Sequence, residues 1–380
     1  MRRISDTIAR LSAIRGREHM DTLAAAATGR LAKLGDFGAN PGNLGARIHV
    51  PENVPDNAPL VVVLHGCTQT AEAYDQGAGW STLADRAGFV VLYPEQNRSN
   101  NPNLCFNWFV PAHTTRGRGE AGSIREMIET VCIRHRIDRK RIFITGLSAG
   151  GAMTSAMLAT YPDLFAGGAI IAGLPYASAS TVPEAFDRMR GHLGPTPIDL
   201  QRLLRDASSH PGPWPTLSLW HGDADGTVHA SNMEQIVDQW RVFHDLSHRA
   251  PQHEHIDGHV RRVWRDSAGR EAIEAYTIAG MGHGTPLMTG GQDGLGSSGP
   301  FMLEAGISST LRIAQFWSIA GTVASPGPSA GEAARIAAPV AGDGSASGRP
   351  AAGTLAANHK PSSDVERIIN DALKAAGLIR

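Results

Sequence analysis

The strongest chemical signal in the sequence is the pentapeptide GLSAG at residues 146–150, which places Ser148 between glycines. It directly follows an apolar strand pattern at residues 141–145 and directly precedes a helical pattern at residues 149–160. A strand, G-x-S-x-G and a helix in this order are typical of a nucleophile elbow, a turn so sharp that small residues must flank the serine. We therefore predict that Ser148 is a nucleophile; a glycine-rich turn without chemistry is the alternative.

A serine hydroxyl at neutral pH needs a histidine to accept its proton and a carboxylate to orient that histidine. After an elbow of this kind the expected chain order is serine, acid, histidine. The loop after the strand pattern at residues 216–220 holds two candidate acids, Asp223 and Asp225. We choose Asp225, which fits an H-G-x-x-D-x-x-V spacing, and interpret Asp223 as a turn-forming residue and the alternative acid. His283, in the glycine-rich stretch at residues 280–284, is the predicted base.

Acyl transfer also requires hydrogen-bond donors for the oxyanion that forms on the substrate. We predict that the backbone N–H of Ala149, which follows the nucleophile, is one donor. The second is expected on the loop after an early strand, at residues 64–69, where we nominate the backbone N–H of Cys67. Gln69 on the same loop and Leu147 in the elbow are candidate substrate-binding residues.

Two further patterns resemble ligand sites but fail in their context. His253, His255 and His259 have a spacing that suggests metal ligands, yet alternation on an exposed strand or loop explains it, and we predict no metal site. The G-x-G-x-x-G string at residues 294–299 has no preceding strand and is followed by Pro300, so it does not fit a dinucleotide-binding loop. We expect no cofactor.

The elements around these residues alternate between short apolar runs and helical patterns. The predicted strands lie at residues 47–50, 60–65, 89–93, 141–145, 166–172 and 216–220, with a hairpin across residues 260–278. The predicted helices lie at residues 71–87, 120–135, 149–160 and 308–319. Strands too continuously apolar to have a wet face indicate an α/β fold with a mostly parallel sheet covered by helices on both sides.

Other segments depart from this rhythm. Residues 1–45 are predicted to be an N-terminal helical extension, with helical patterns at 4–11 and 23–34, and residues 46–320 the catalytic domain. Within that domain, residues 174–213 are interpreted as a helical cap inserted over the site. Residues 321–363 are rich in Ala, Gly, Ser and Pro and predict a linker, and residues 364–380 predict a short terminal helix.

The bulk composition excludes some classes of protein. The net charge of −1 provides no global field for nucleic acid or anionic lipid. The apolar runs are far shorter than the roughly 20 residues of a membrane span. Charges at Asp6, Arg10 and Arg15 interrupt any apolar core of a signal peptide, so the sequence favours a cytoplasmic location. Three cysteines are too few for a disulfide framework and allow one bridge.

Several longer strings resemble the poly(3-hydroxybutyrate) depolymerase family of esterases, which is itself similar to feruloyl and acetylxylan esterases. They are LHGCTQT at 64–70, GWSTLADRAGFVVLYPEQ at 79–96, NPNLCFNWF at 101–109, GLSAGGAM at 146–153 and AGGAIIAGLPY at 166–176. The likeness covers residues 41–320 and implies an α/β-hydrolase fold, with Ser148, Asp225 and His283 as the triad. It also implies that Cys67 serves the oxyanion, that Cys105 is a disulfide or packing partner of Cys67, and that Trp108 is a wall of the acyl pocket.

The leading hypothesis is a serine carboxylic ester hydrolase acting through an acyl-enzyme on polyhydroxyalkanoate-like esters, either small molecules or polyester oligomers. A feruloyl or acetylxylan esterase is the nearest alternative. Outside this class, the alternatives are a serine peptidase and a non-catalytic binding module. The family resemblance also admits an extracellular location.

Overall fold

The computed structural model describes residues 29–321, within which ten strands form one sheet and two more form a small second sheet. The large sheet has the order β1-β2-β4-β3-β5-β6-β7-β10-β9-β8. The strands are β1 Ala32–Lys33, β2 Gly45–His49, β3 Leu60–Leu64, β4 Val90–Glu95, β5 Ile142–Leu147, β6 Gly167–Ile171, β7 Thr216–Gly222, β8 Gln252–Ile256, β9 His259–Arg265, β10 Glu271–Ile278, β11 Thr285–Leu287 and β12 Met302–Glu304.

The six central strands, from β4 to β10, run parallel, whereas β1, β2, β9 and β8 pair antiparallel at the two edges. All five residues of β3 are fully buried. Alternate side chains of β3 enter different cores, since Val62 belongs to one hydrophobic cluster and Val61 and Val63 to the other. A sheet covered on both faces needs this continuous apolar character, and the prediction of a mostly parallel sheet is confirmed.

Helices cover both faces of the sheet. They are α1 Ala71–Ala78, α2 Trp80–Ala87, α3 Pro111–Thr114, α4 Gly119–Arg134, α5 Ala149–Thr160, α6 Val182–Met189, α7 Pro197–Ala207, α8 Ser231–Trp240 and α9 Ser309–Phe316. Helices α4, α5 and α8 contribute to the core that holds Val62, and α1, α2 and α9 contribute to the opposite one. The helix predicted over residues 71–87 divides in two at Gly79, whose φ of 75° ends α1. Within residues 29–321 no helix is long and apolar enough to cross a membrane.

The helical pattern predicted at residues 23–34 is wrong over its described part, because Ala32–Lys33 is a strand paired with β2. Leu31 and Leu34 have the i, i+3 spacing of one helix face, but in the extended chain they lie on opposite sides of the sheet. The sheet therefore begins inside the region expected to be a helical extension. The helical pattern at residues 4–11, the C-terminal helix and nearly all of the predicted linker lie outside the described residues.

Helices α6 and α7 lie between β6 and β7, in the segment interpreted as a cap. Ala185 of α6 packs in a small cluster with Trp108 and Ala149, and Met189 packs against the same cluster. The backbone N–H of His229 donates to the carbonyl of Met189 at 2.7 Å. These contacts join α6 to the loop after β7 and bring it beside the residue that follows Ser148.

Candidate active site

Ser148 is the single residue between the end of β5 and the start of α5. Its backbone has φ 57° and ψ −117°, which a non-glycine residue rarely adopts and which is costly without support from its surroundings. A β-carbon on Gly146 would lie 2.5 Å from the backbone of Gly150, and one on Gly150 would lie 2.4 Å from the carbonyl oxygen of Leu64. The strand turns directly into the helix here because both flanking positions lack a side chain.

Asp225 lies on the loop after β7, with its carboxylate fully buried. Its Oδ1 accepts hydrogen bonds from the backbone N–H groups of Thr227 and Val228, at 2.8 and 2.9 Å. Burial alone would raise the pKa of Asp225, but hydrogen bonds with His221 and His283 outweigh it and hold the pKa well below its ordinary value. The carboxylate is therefore ionised at neutral pH.

His283 lies on the loop between β10 and β11, and its Nδ1 is 2.7 Å from Oδ2 of Asp225. An ionised carboxylate only accepts hydrogen bonds, so Nδ1 is the donor in this contact and carries a proton. Nε2 is then the ring atom able to accept a proton from a hydroxyl group. Since β5, β7 and β10 are parallel, the loops that carry the serine, the acid and the histidine all follow carboxyl ends at one edge of the sheet.

Asp223 connects the acid loop with the histidine loop. Its Oδ1 accepts a 2.7 Å hydrogen bond from the backbone N–H of Gly280, and Ala224 N–H donates to Met281 O at 3.1 Å. A β-carbon on Gly222 would lie 2.1 Å from the carbonyl oxygen of Met281, so this close approach of the two loops requires glycine. Asp223 makes no pair with His283 in this arrangement and instead organises the loop that carries it.

The predicted oxyanion loop follows β3, which is the neighbour of β5 in the sheet. Gln69 Oε1 accepts from Gly66 N–H at 2.9 Å, and Thr68 N–H donates to Asn103 O at 2.7 Å. A disulfide joins Cys67 to Cys105. The other nominated donor, the N–H of Ala149, is in the first turn of α5, where backbone N–H groups have no partner within the helix.

The three predicted substrate-binding residues have different surroundings. Trp108 is 7% exposed and packs with Ala149, the residue after the nucleophile. Leu147 is 1% exposed and packs in the core, and its role as a substrate contact stays a prediction. The amide of Gln69 forms hydrogen bonds at both ends, since Nε2 also donates to Pro300 O at 3.4 Å, and its role in binding substrate likewise stays a prediction.

Sequence reasoning missed a second histidine at the acid. His221 is buried, its Nε2 donates to the Val228 carbonyl at 2.7 Å, and the same atom lies 3.4 Å from Asp225 Oδ2. A carbonyl only accepts, so Nε2 carries the proton. The H-G-x-x-D spacing that selected Asp225 includes this histidine and could have indicated its role in holding the acid loop.

The histidines that resemble metal ligands are dispersed. His253 and His255 are exposed on β8, whereas His259 is buried and its Nε2 lies 2.8 Å from the carbonyl oxygen of Ala305. Over the described range, no group of three or more His, Cys, Asp or Glu side chains is arranged to hold a metal ion.

The parallel sheet, the elbow at Ser148 and the Asp225–His283 pair at the carboxyl edge define an α/β hydrolase. The sequence model of the esterase PHB depolymerases matches residues 46–264, and the chain belongs to this family. It is similar to poly(3-hydroxyalkanoate) depolymerase C of Paucimonas lemoignei, with 44% identity over 77% of this chain and 70% of that protein. It is also similar to acetylxylan esterase A of Emericella nidulans, with 32% identity over 67% of this chain and 85% of that protein.

Among solved structures, the chain resembles an acetyl xylan esterase from Aspergillus awamori, with a TM-score of 0.65 and 25% identity. The match covers 77% of this chain and all of that one. Family, relatives and fold agree that the chain is a serine esterase, a hydrolase that acts on ester bonds.

Proposed function

We propose that Ser148, Asp225 and His283 form the catalytic triad of this esterase. The observation that carries the proposal is the 2.7 Å contact between His283 Nδ1 and Asp225 Oδ2 at the edge of the sheet where the elbow presents Ser148. His283 Nε2 accepts the proton of the Ser148 hydroxyl as its oxygen attacks the ester carbonyl. The N–H groups of Cys67 and Ala149 bind the resulting oxyanion.

The alcohol then leaves with the proton held by His283, and the acyl group stays on Ser148. Water attacks this acyl-enzyme, gives its proton to His283, and releases the acid as Ser148 recovers its hydrogen. The ionised Asp225 stabilises the imidazolium at both stages and retains the imidazole orientation between them.

We propose polyhydroxyalkanoate-like esters of 3-hydroxybutyrate, as small molecules or oligomers, as the substrates. The 44% identity to a poly(3-hydroxyalkanoate) depolymerase supports this choice. The apolar cluster of Trp108, Leu174, Ala185 and Val228 beside Ala149 suits a short aliphatic acyl chain. The 32% identity to an acetylxylan esterase favours a carbohydrate ester as the second candidate.

We also propose that one catalytic domain ends near residue 320, with residues 174–213 as its cap. Two contacts support the placement of the cap: α6 packs against Trp108, and Met189 accepts a hydrogen bond from His229. Because β1 belongs to the large sheet, the start of this domain moves from residue 46 to before Ala32.

The test compares wild type with Ser148→Ala on short-chain p-nitrophenyl esters, 3-hydroxybutyrate oligomers and methyl ferulate. We expect kcat to fall by about 10⁶ in the variant. Ser155→Ala is the matched control, because Ser155 Oγ is buried in the same helix without a hydrogen-bond partner in the described structure. The preferred ester class separates the two esterase candidates. If wild type hydrolyses none of these esters and a phosphonate does not label Ser148, a non-catalytic binding module is favoured.

A further inference from the structure

Phe301 occupies a position in a tight turn that normally excludes a large side chain. The turn runs from Gly299 to Met302 and is closed by Met302 N–H donating to Gly299 O at 3.0 Å. Pro300 is its second residue, and Phe301, the third, has a φ of 62°. Turns with proline second and a positive φ third strongly favour glycine or asparagine at that third position. A phenylalanine there is strained, and such strain persists only where the surroundings hold it.

The ring that this strained residue carries packs against His283. The two ring centroids are 6.1 Å apart and the ring planes cross at 79°, an edge-to-face contact. Phe301 is partly buried, and its ring also packs against the hydrophobic cluster that holds Val61 and Val63. The side chain that the backbone strain holds in place is thus a neighbour of the base.

The backbone of the turn is joined to both sides of the site. The carbonyl of Phe301 accepts from Thr285 N–H at 2.8 Å, two residues beyond His283. A β-carbon on Gly284 would lie 2.7 Å from the same carbonyl oxygen. Pro300 O accepts from Gln69, whose Oε1 holds Gly66 of the oxyanion loop. The turn therefore has a fixed position relative to the histidine loop and to the oxyanion loop.

We propose that Phe301 is a positioning residue for His283: the strained turn holds its ring against the imidazole and keeps that ring in the orientation set by Asp225. Asp225 contacts His283 only through Nδ1, and one hydrogen bond leaves the ring free to swing about that contact. The ring of Phe301 restricts this motion, so that Nε2 keeps the orientation in which it can accept the serine proton. The inference rests on the proposed role of His283 as the base.

The test uses Phe301→Asn and Phe301→Gly, which suit the turn but remove the ring, and Phe301→Tyr, which retains it. Leu193→Asn is the matched control, because Leu193 is also a large apolar residue at positive φ, 51°, but is 81% exposed. On a soluble p-nitrophenyl ester we expect Phe301→Asn and Phe301→Gly to lower kcat by about tenfold to a hundredfold and to change KM less than about twofold. The rate of phosphonate labelling of Ser148 should fall in parallel with kcat.

Stability separates positioning from space filling. We expect the Tm of Phe301→Asn and Phe301→Gly to stay close to that of wild type, because relief of the positive φ offsets the packing that the ring loses against the core. Phe301→Tyr should retain most of the wild-type kcat, and Leu193→Asn should retain all of it. Wild-type kcat in Phe301→Asn and Phe301→Gly would overturn the inference and leave the triad standing. A loss of Tm in Phe301→Asn and Phe301→Gly that accounts for their loss of kcat would overturn it in favour of a packing role. An inactive wild type would overturn both proposals.

Discussion

The carboxylate of Glu120, in the first turn of α4, accepts a 2.8 Å hydrogen bond from the backbone N–H of Asn107, the residue before Trp108. Gln96 Nε2 and Asn107 Nδ2 donate to the other carboxylate oxygen at 2.7 and 2.6 Å. Gln96 N–H in turn donates to Nε2 of His65, beside the oxyanion loop. One buried carboxylate thus connects the loop that carries Trp108 to the loop that carries Cys67.

Glu120 predicts a pH dependence of stability. Burial raises the pKa of Glu120 from its ordinary value of 4.5 to about 7, against the effect of its hydrogen bonds. Between these values the folded protein binds more protons than the unfolded chain, so the free energy of unfolding falls as pH rises through this window. Between pH 4.5 and 7.5 the free energy of unfolding of wild type should fall by up to about 3 kcal/mol relative to that of Glu120→Gln. Urea unfolding at a series of pH values measures this difference.

The comparison of these two proteins isolates Glu120. Burial also raises the pKa of Glu274 to about 7, but its titration is common to wild type and variant and cancels in their difference. His113 Nδ1 lies 3.6 Å from the Glu120 carboxylate, so the pair is repeated in a His113→Asn background. The prediction would be contradicted if the free energy of unfolding had the same pH dependence with Glu120 as with the Glu120→Gln substitution, both in the wild-type and in the His113→Asn background.

Asp225→Asn should lower kcat by about 10⁴, because the amide no longer selects the imidazole tautomer with its proton on Nδ1. Asp223→Asn is the matched control, since an asparagine Oδ1 can still accept from Gly280 N–H. We expect it to lose less than about tenfold in kcat. Steady-state rates on one ester measure both effects. An inactive Asp223→Asn beside an active Asp225→Asn would transfer the acid role to Asp223.

The Cys67–Cys105 disulfide should contribute to both stability and rate. It closes a loop with a sequence separation of 38 residues, so Cys105→Ser should lower the free energy of unfolding by about 2–4 kcal/mol. We also expect kcat to fall, since the bridge holds Cys67, whose N–H is the proposed donor to the oxyanion.

Dithiothreitol should inactivate wild type and Cys132→Ala alike, because Cys132 is a buried free thiol distinct from the bridge. Cys105→Ser should not respond to the reductant. Activity measured against reductant concentration checks this, and a wild type that is insensitive after verified reduction would contradict it.

The elbow should not tolerate a side chain at Gly150. Its β-carbon would lie 2.4 and 2.5 Å from the carbonyl oxygens of Leu64 and His65, both backbone atoms that cannot move aside cheaply. Gly150→Ala should therefore lower the free energy of unfolding by about 3 kcal/mol and also lower kcat. Gly35→Ala, where nothing lies within 4 Å of the added atom, should match wild type. Equal unfolding midpoints for the two variants would contradict the clash.

The sequence predicted those parts of the structure that depend on neighbours along the chain. The five buried residues of β3, the strand before Ser148 and the helix after it are local patterns, and their periodicity reports directly on burial and turn geometry. The choice of Asp225 followed from the local H-G-x-x-D-x-x-V spacing, and that of His283 from its position and the chain order. Both residues lie at the sheet edge that parallel strands create, and they pair there.

Tertiary structure decided everything that depends on a distant partner. Leu31 and Leu34 have the spacing of a helix face, yet they lie on opposite sides of a sheet whose edge only folding creates. Gln69 donates a hydrogen bond to a carbonyl 231 residues away, and Leu147 packs in the core beneath the elbow. The ring contact of Phe301 with His283 and the contacts of Glu120 likewise arise between segments with no shared local pattern. The periodicity of apolar residues indicates which face of a helix or strand is buried. Only the packed fold determines which residues contact that face.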